Sequence, residues 1–303
     1  MERILDISAR ALRLRITHGC LDLLEEGRSV QTPVPLAEVG AIVVSNPEAT
    51  FSRALLAELA EHGVGTVVCN SRSMPVGMLL PLSHHSLQSE RMQAQLELGK
   101  VKRKQLHAQV VKAKLLAQAA LLEDVRGQDH GLGLLARRVA SGDKGNNEAR
   151  GARIYWRQLF GEPFTRDPEQ GGRNALLNYG YAVLRAMVAR AIAGVGLHPG
   201  LGLFHHNRYN PFCLADDLME PYRPLVDRAV AGFSDDECWL GGEAKRRLLE
   251  PLVGRYRWQD EERGLLDWLH RLARSMAGVC LGERVNLDIP ICRKAATHGD
   301  ETD

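Results

Sequence analysis

The sequence predicts an α+β protein, with a small strand-rich N-terminal domain at residues 1–80 and a larger all-α domain at 81–303. Three observations predict it. Residues 1–80 hold short apolar runs separated by turn residues. Residues 86–125 contain no proline and one glycine, and the remainder alternates apolar stretches of helical length with Gly/Pro breaks. At 303 residues the chain also exceeds the usual size of one domain.

The first strand is expected at 3–8. The second, at 12–16, alternates Leu12, Leu14 and Ile16 with Arg13 and Arg15, the period-two pattern of a half-buried strand. Further strands fit 41–44 and 66–69. Between them, 52–62 carries Leu55, Leu56 and Leu59 at helical spacing and stops before Gly63, a suitable C-terminal glycine. From 86 to 125 Leu, Ala, Gln, Lys and Glu dominate, all good helix formers, so a long helix or helical hairpin follows. Helices are expected at 174–192 and 265–280, each carrying a single interior glycine (Gly180, Gly278) at a cost of about 1 kcal/mol. Breaks fall at 161–163, 194–202 and 241–242, and 298–303 reads as a frayed tail.

Composition excludes several classes. No run of eighteen apolar residues exists, and charge interrupts MERILDISARALRLRI every few positions, unlike a signal-peptide core. A cytoplasmic protein with no membrane partner is expected. Six cysteines, Cys20, Cys69, Cys213, Cys238, Cys280 and Cys292, form no CxxC pair; reduced, mostly buried thiols are expected rather than zinc ligands or disulfides.

Net charge is only +2, but its distribution is uneven. Residues 1–80 hold seven Lys+Arg against nine Asp+Glu, residues 81–157 fourteen against seven, and 158–303 eighteen against twenty-one. The middle block, net +7, includes Lys100, Lys102, Arg103, Lys104, Lys112, Lys114, Arg137, Arg138, Arg150, Arg153 and Arg157. Such a surface attracts phosphate backbones through counterion release, independently of base sequence. The alternative is a solvated helix face.

Two strings concentrate polar chemistry. In GNNEARGARIYWRQLFG, Glu148 follows Asn146 and Asn147; structurally, Asn147 would cap a helix with Glu148 in its first turn. In GLFHHNRYNPFCLADDLMEPYRPLVD, His205 and His206 precede Asp216, Asp217 and Glu220, two histidines and three carboxylates within sixteen positions. Asp217 and Glu220, three apart, share one face if a helix leads in, although Pro221 and Pro224 confine any regular helix to a first turn there. The plainer roles are N-capping for the aspartates and a surface or hydrogen-bonded histidine. Oxygen ligands with one imidazole suit Mg²⁺ or Mn²⁺ better than structural zinc, and such a cation open to substrate oxygens serves phosphoryl transfer. Beside a basic block it would act on nucleic acid. The residues alone therefore point to a metal-dependent nuclease or strand transferase. A non-catalytic DNA-binding scaffold and a hydrolase of a small phosphorylated metabolite are the alternatives.

NEARGARIYW, GGRNALLNYGYAVLRAMVARAI, GLHPGLGLFHH and LADDLMEPYRPLVDRAV, in that order after a strand-rich start ending in PVGMLLPL, resemble the universal integrase of the CRISPR adaptation module. NYGYAVLR and LADDLMEPYRP are similar to its type II branch. The resemblance implies an N-terminal β domain that dimerises and a helical, metal-binding catalytic domain. It implies Glu148, His205 and Glu220 as ligands of Mg²⁺ or Mn²⁺, with Asp217 supporting or sharing the catalytic site. His206 competes for the histidine position; Leu203-Phe204-His205 fits the family's apolar-apolar-His pattern better. Lys102, Arg103, Lys104, Arg137, Arg138, Arg150 and Arg153 are the candidate DNA contacts, their positions varying within the family. The implied reaction is insertion of short DNA duplexes as new spacers, by attack of a 3′-hydroxyl on a phosphodiester of the repeat array. The implied partners are double-stranded DNA, a second copy in a homodimer, and a small second adaptation protein that bridges two dimers into a heterohexamer.

Overall fold

A computed structural model describes residues 3–294 apart from 9, 11, 72–74, 82–84, 163 and 204–207. The alternating stretch forms β2 (Arg13–Thr17), which buries Leu14 while Arg13 and Arg15 face outward. His18 and Gly19, both at positive φ, turn the chain into β3 (Cys20–Glu25), an antiparallel partner that the sequence reading did not assign. With the short β4 (Arg28–Ser29), β5 (Val34–Pro35) and β7 (Thr50–Phe51), these strands make one sheet.

A second sheet has the order β1 (Arg3–Ile7), β6 (Val39–Val44), β8 (Gly65–Cys69) and β9 (Pro75–Leu79). Its first three strands are parallel, so β6 and β8 need a crossover, supplied by α1 (Arg53–Glu61). Ser52 caps α1 by accepting the Leu55 amide at 3.1 Å, and Gly63, at φ +62°, follows its end as expected.

The proline-free stretch forms two helices, α2 (Gln88–Glu97) and α3 (Lys100–Arg126), broken at its one glycine, Gly99, which sits at the N-cap of α3. Then follow α4 (Leu132–Arg138), α5 (Asn147–Phe160), α6 (Arg173–Gly194), α7 (Cys213–Met219), α8 (Arg223–Ala231), α9 (Gly242–Leu249) and α10 (Leu265–Cys280). Helix α6 is apolar almost all round because it is the axis of the core, meeting the second sheet as well as α7, α8, α9 and α10. Gly180 lets α8 approach it, since a Cβ there would lie 2.4 Å from Val226 Cγ1. Val43 and Val67 of the sheet belong to the same apolar cluster as α6, and Arg190 of α6 donates to the Gly40 carbonyl at 2.6 Å. Lys245 of α9, buried, donates to Ser45 Oγ at 2.8 Å beyond the end of β6.

The fold class is therefore α+β, strand-rich first and mostly helical after. One departure lies in the helical part, where β10 (Arg255–Trp258), β11 (Glu261–Gly264) and β12 (Arg293–Lys294) form a small antiparallel sheet. Its strands are too short and too charged to show an apolar period. All six cysteines are free, but only Cys213 is buried and the other five are half-buried. The expectation of mostly buried thiols fails because Cys20, Cys69 and Cys280 sit at element ends, where the core opens. Among the described residues no helix is long and apolar enough to cross a membrane.

Candidate metal centre

Helix α5 places Glu148. Its N-terminus is held by Asp143, which accepts the Glu148 amide at 2.9 Å and the Asn147 side-chain amide at 2.8 Å. Asp143 thus does the capping that the sequence assigned to Asn147: residue 146 is the N-cap in the left-handed region, with no side-chain capping bond of its own. Glu148 lies in the first turn as expected, where the helix dipole favours a carboxylate. Glu148, Gly151, Tyr155 and Leu159 follow one another along the inward face of α5, and Arg150, Arg153 and Arg157 along its exposed face.

The neighbour across that inward face is α3. A Cβ on Gly151 would lie 2.3 Å from Leu115 Cδ2, so the absence of a side chain sets how close the two helices come. The close approach brings Lys114 of α3 to Glu148, Nζ to Oε1 2.7 Å.

Glu220 arrives from the other side. It opens the 3-10 turn 220–222 that follows α7, with Pro221 in the first-turn position where proline is tolerated. Its buried carboxylate divides between two cations: Lys114 Nζ lies 2.8 Å from Oε2, and Arg223 Nη2 lies 3.1 Å from Oε1. Lys114 therefore joins two carboxylates that stand 72 positions apart in the chain. His107, one further turn-pair back on α3, has Nε2 3.9 Å from Glu148 Oε2. Burial pushes the Lys114 ammonium down, but Glu220 and Glu148 outweigh it, and its pKa ends above the ordinary lysine value.

Asp216 and Asp217 lie inside α7 and do not cap it. Asp217 Oδ2 accepts the Leu203 amide at 2.6 Å, tying down the segment that leads to His205. Asp216 is paired with Arg185 at 2.5 Å and accepts from Asn210 at 2.7 Å. His205 and its competitor His206 lie outside the described residues. Among the described residues no three of His, Cys, Asp and Glu surround a common point.

The candidate DNA contacts divide. Lys104, Arg137, Arg138, Arg150 and Arg153 are exposed. Arg103 is turned inward, donating to the carbonyls of Leu98, Gln95 and Gly202 at 2.9, 3.0 and 2.7 Å, and Lys102 donates to the Val285 carbonyl at 2.6 Å. Arg103 thus braces the 198–203 segment, together with Gln95, which donates to the carbonyls of His198 and Leu201.

Comparison with known proteins then identifies the family. The family profile for CRISPR associated protein Cas1 matches residues 5–239, more than half of the chain. The chain belongs to the Cas1 family. A CRISPR-associated endonuclease Cas1 from Neisseria meningitidis serogroup C (strain 8013) is 44% identical over 200 residues, 65% of this chain and 65% of that protein. A casposase bound to its integration product superposes with a TM-score of 0.76 at 18% identity, covering 95% of this chain and 93% of the other. The chain of a Cas6-RT-Cas1–Cas2 complex superposes with a TM-score of 0.73 at 18% identity, covering 94% of this chain and 35% of that longer one. At such identities the two structures establish the Cas1 fold alone.

A divalent cation fits the donor set of this Cas1 chain. Two carboxylates converge on a point that already holds an ammonium, and hard oxygen donors are what Mg²⁺ and Mn²⁺ take. Sequence reasoning missed Lys114, which it counted with the DNA-facing charge, and it missed Arg223 and Asp143. The signal for Lys114 was present: Val110 and Val111 precede it by one turn and Leu115 follows it, so it lies on an apolar face of α3.

Proposed function

We propose that this chain is a metal-dependent DNA integrase and endonuclease of CRISPR adaptation, cytoplasmic and of the type II-like branch. The observation that carries the reading is the convergence of Glu148 and Glu220 on one cation position, with Glu148 on the inward face of the helix whose exposed face carries Arg150, Arg153 and Arg157. In this reading Glu148, His205 and Glu220 would hold Mg²⁺ or Mn²⁺, which supplies charge neutralisation for the attacking and leaving oxygens of an in-line displacement. Asp217 positions the histidine segment through the Leu203 amide. The arginines of α4 and α5 bind phosphates and orient the duplex.

The reaction is transesterification. The 3′-hydroxyl of a short duplex attacks a phosphodiester at the repeat; one P–O bond forms as another breaks, and the proton leaves the attacking oxygen as the displaced oxygen gains one. With water as nucleophile the same site cleaves DNA. The names of the relatives, an endonuclease and a casposase bound to an integration product, support this chemistry. The proposed partners are double-stranded DNA, a second copy of the chain bound through the strand-rich N-terminal domain, and Cas2, the companion in the Cas6-RT-Cas1–Cas2 complex. Two such dimers bridged by the small partner give a heterohexamer.

The test is an integration assay on a supercoiled repeat plasmid. Glu148→Gln, His205→Ala and Glu220→Gln are each expected to lose Mg²⁺- or Mn²⁺-dependent strand transfer by at least about 100-fold while keeping the circular dichroism of the folded protein. Full activity in all three would overturn the assignment.

A further inference from the structure

Helix α3 carries three buried or nearly buried polar residues on one side, His107, Lys114 and Gln118, spaced seven and four apart. Lys114 is the one that reaches the carboxylates. Its ammonium donates a charge-assisted hydrogen bond to Glu148 Oε1 at 2.7 Å and forms an ion pair with Glu220 Oε2 at 2.8 Å, on a different element. The remaining oxygen of Glu220 faces Arg223, and the remaining oxygen of Glu148 faces His107.

Two carboxylates drawn to one point repel each other and need a cation between them. An ammonium meets that need with a point charge on a flexible four-carbon stem. A divalent cation meets it with direct oxygen coordination at about 2.0–2.2 Å, shorter than any N–H···O contact. Both cannot occupy one position, and the longer, single-charge partner is the one that can swing away.

We infer that Lys114 is the resident counter-ion of the Glu148 and Glu220 carboxylates: it holds them against one point in the metal-free protein and gives up that place to a divalent cation. This rests on the proposed metal-dependent function. Lys114 is a positioning residue in this role, acting through the two carboxylates. It keeps the site assembled before loading, and it sets a threshold below which the cation does not bind. Once displaced, its charge remains tethered within a side chain's length of the site.

The experiment is calorimetric titration of the full-length protein with Mn²⁺, paired with melting curves in EDTA and in saturating Mn²⁺. Lys114→Met is expected to bind Mn²⁺ at least about tenfold more tightly than wild type, because a like charge a few ångströms away at an effective dielectric of about 20 opposes binding by more than a decade. The same variant should melt lower than wild type in EDTA, with the gap closed by Mn²⁺. Lys114→Arg, which keeps the charge, should retain the weaker wild-type affinity. Where Lys114→Met does not fold without metal, Lys114→Gln isolates the charge while keeping a hydrogen-bond donor. Unchanged or weaker Mn²⁺ binding in the neutral variants, with wild type binding and Glu148→Gln losing it, would overturn this inference alone. Failure of wild type to take up Mn²⁺ at all would instead overturn the reading on which it rests.

Discussion

Asp217 Oδ2 accepts the backbone amide of Leu203 at 2.6 Å, with both groups buried, so a carboxylate on α7 fixes the chain two residues before His205. That geometry separates a positioning role from a ligand role. Asp217→Asn keeps an acceptor oxygen and is expected to cost little stability. Asp217→Ala strands a buried amide and should cost about 1–3 kcal/mol. Mn²⁺ affinity should follow the same order, nearly intact in Asn and weakened in Ala. Equal loss of affinity in both variants would instead mark Asp217 as a direct ligand.

Asp227 of α8 is wholly enclosed and receives hydroxyl hydrogen bonds from Tyr155, at 2.6 Å, and from Tyr181. Burial pushes its carboxyl up to about 7, against the pull of the two tyrosines and Arg223. A folded-state value above the unfolded one means that the native protein holds the proton more tightly. Stability therefore falls as pH rises from about 4 to about 7, and is level above that, by up to about 4 kcal/mol if the shift is fully expressed. Urea denaturation across that range should give this slope in wild type and a flatter one in Asp227→Asn. An identical slope in the two proteins would rule out Asp227 as its source.

The basic residues divide into two groups with different expected behaviour. Arg150 and Arg153 project from the exposed face of α5, so Arg150→Ala and Arg153→Ala should each weaken DNA binding uniformly across sequences and lower the salt slope by about 1. Arg103 donates to the carbonyls of Gly202 and, around the end of α2, of Gln95, Leu96 and Leu98. Arg103→Ala should leave the salt slope unchanged and lower the melting temperature, because it leaves buried carbonyl oxygens without donors. Fluorescence anisotropy over a salt series distinguishes the two groups. A slope change for Arg103 equal to that for Arg150 would contradict the division.

How far the sequence could be read differs by residue. Period-two alternation at Leu14 and the stop of α1 before Gly63 were legible because each is local, a matter of a few neighbouring positions. The ends of α10 were legible for the same reason. Glu148 and Glu220 could be named as candidates, but their meeting depends on α3, which lies between neither of them in the chain. Lys114 was summed as surface charge because a charge count carries no burial. Arg103 was miscounted likewise, its carbonyl partners being fixed only by the tertiary path of residues 198–203. Strands β10 to β12 escaped because charged strands of two to four residues have no period to detect.

Gly151 shows the same dependence on packing and yields the strictest test. Helix propensity alone predicts that Gly151→Ala stabilises an interior helical position by about 1 kcal/mol. The packing predicts the reverse: the new Cβ would fall 2.3 Å from Leu115 Cδ2, in a contact where Leu115 is itself fully buried. Overpacking of this kind costs about 1–3 kcal/mol, so the net change should be a loss of stability. Leu115 directly follows Lys114, and Gly151 stands one turn beyond Glu148, so forcing α5 away from α3 also moves the two groups of the ion pair apart. Gly151→Ala should therefore weaken Mn²⁺ binding several-fold besides lowering the melting temperature. Combining it with Leu115→Val, which removes part of the clash, should recover some of both. A rise in melting temperature with unchanged Mn²⁺ affinity would mean that the distance between α3 and α5 does not control the site.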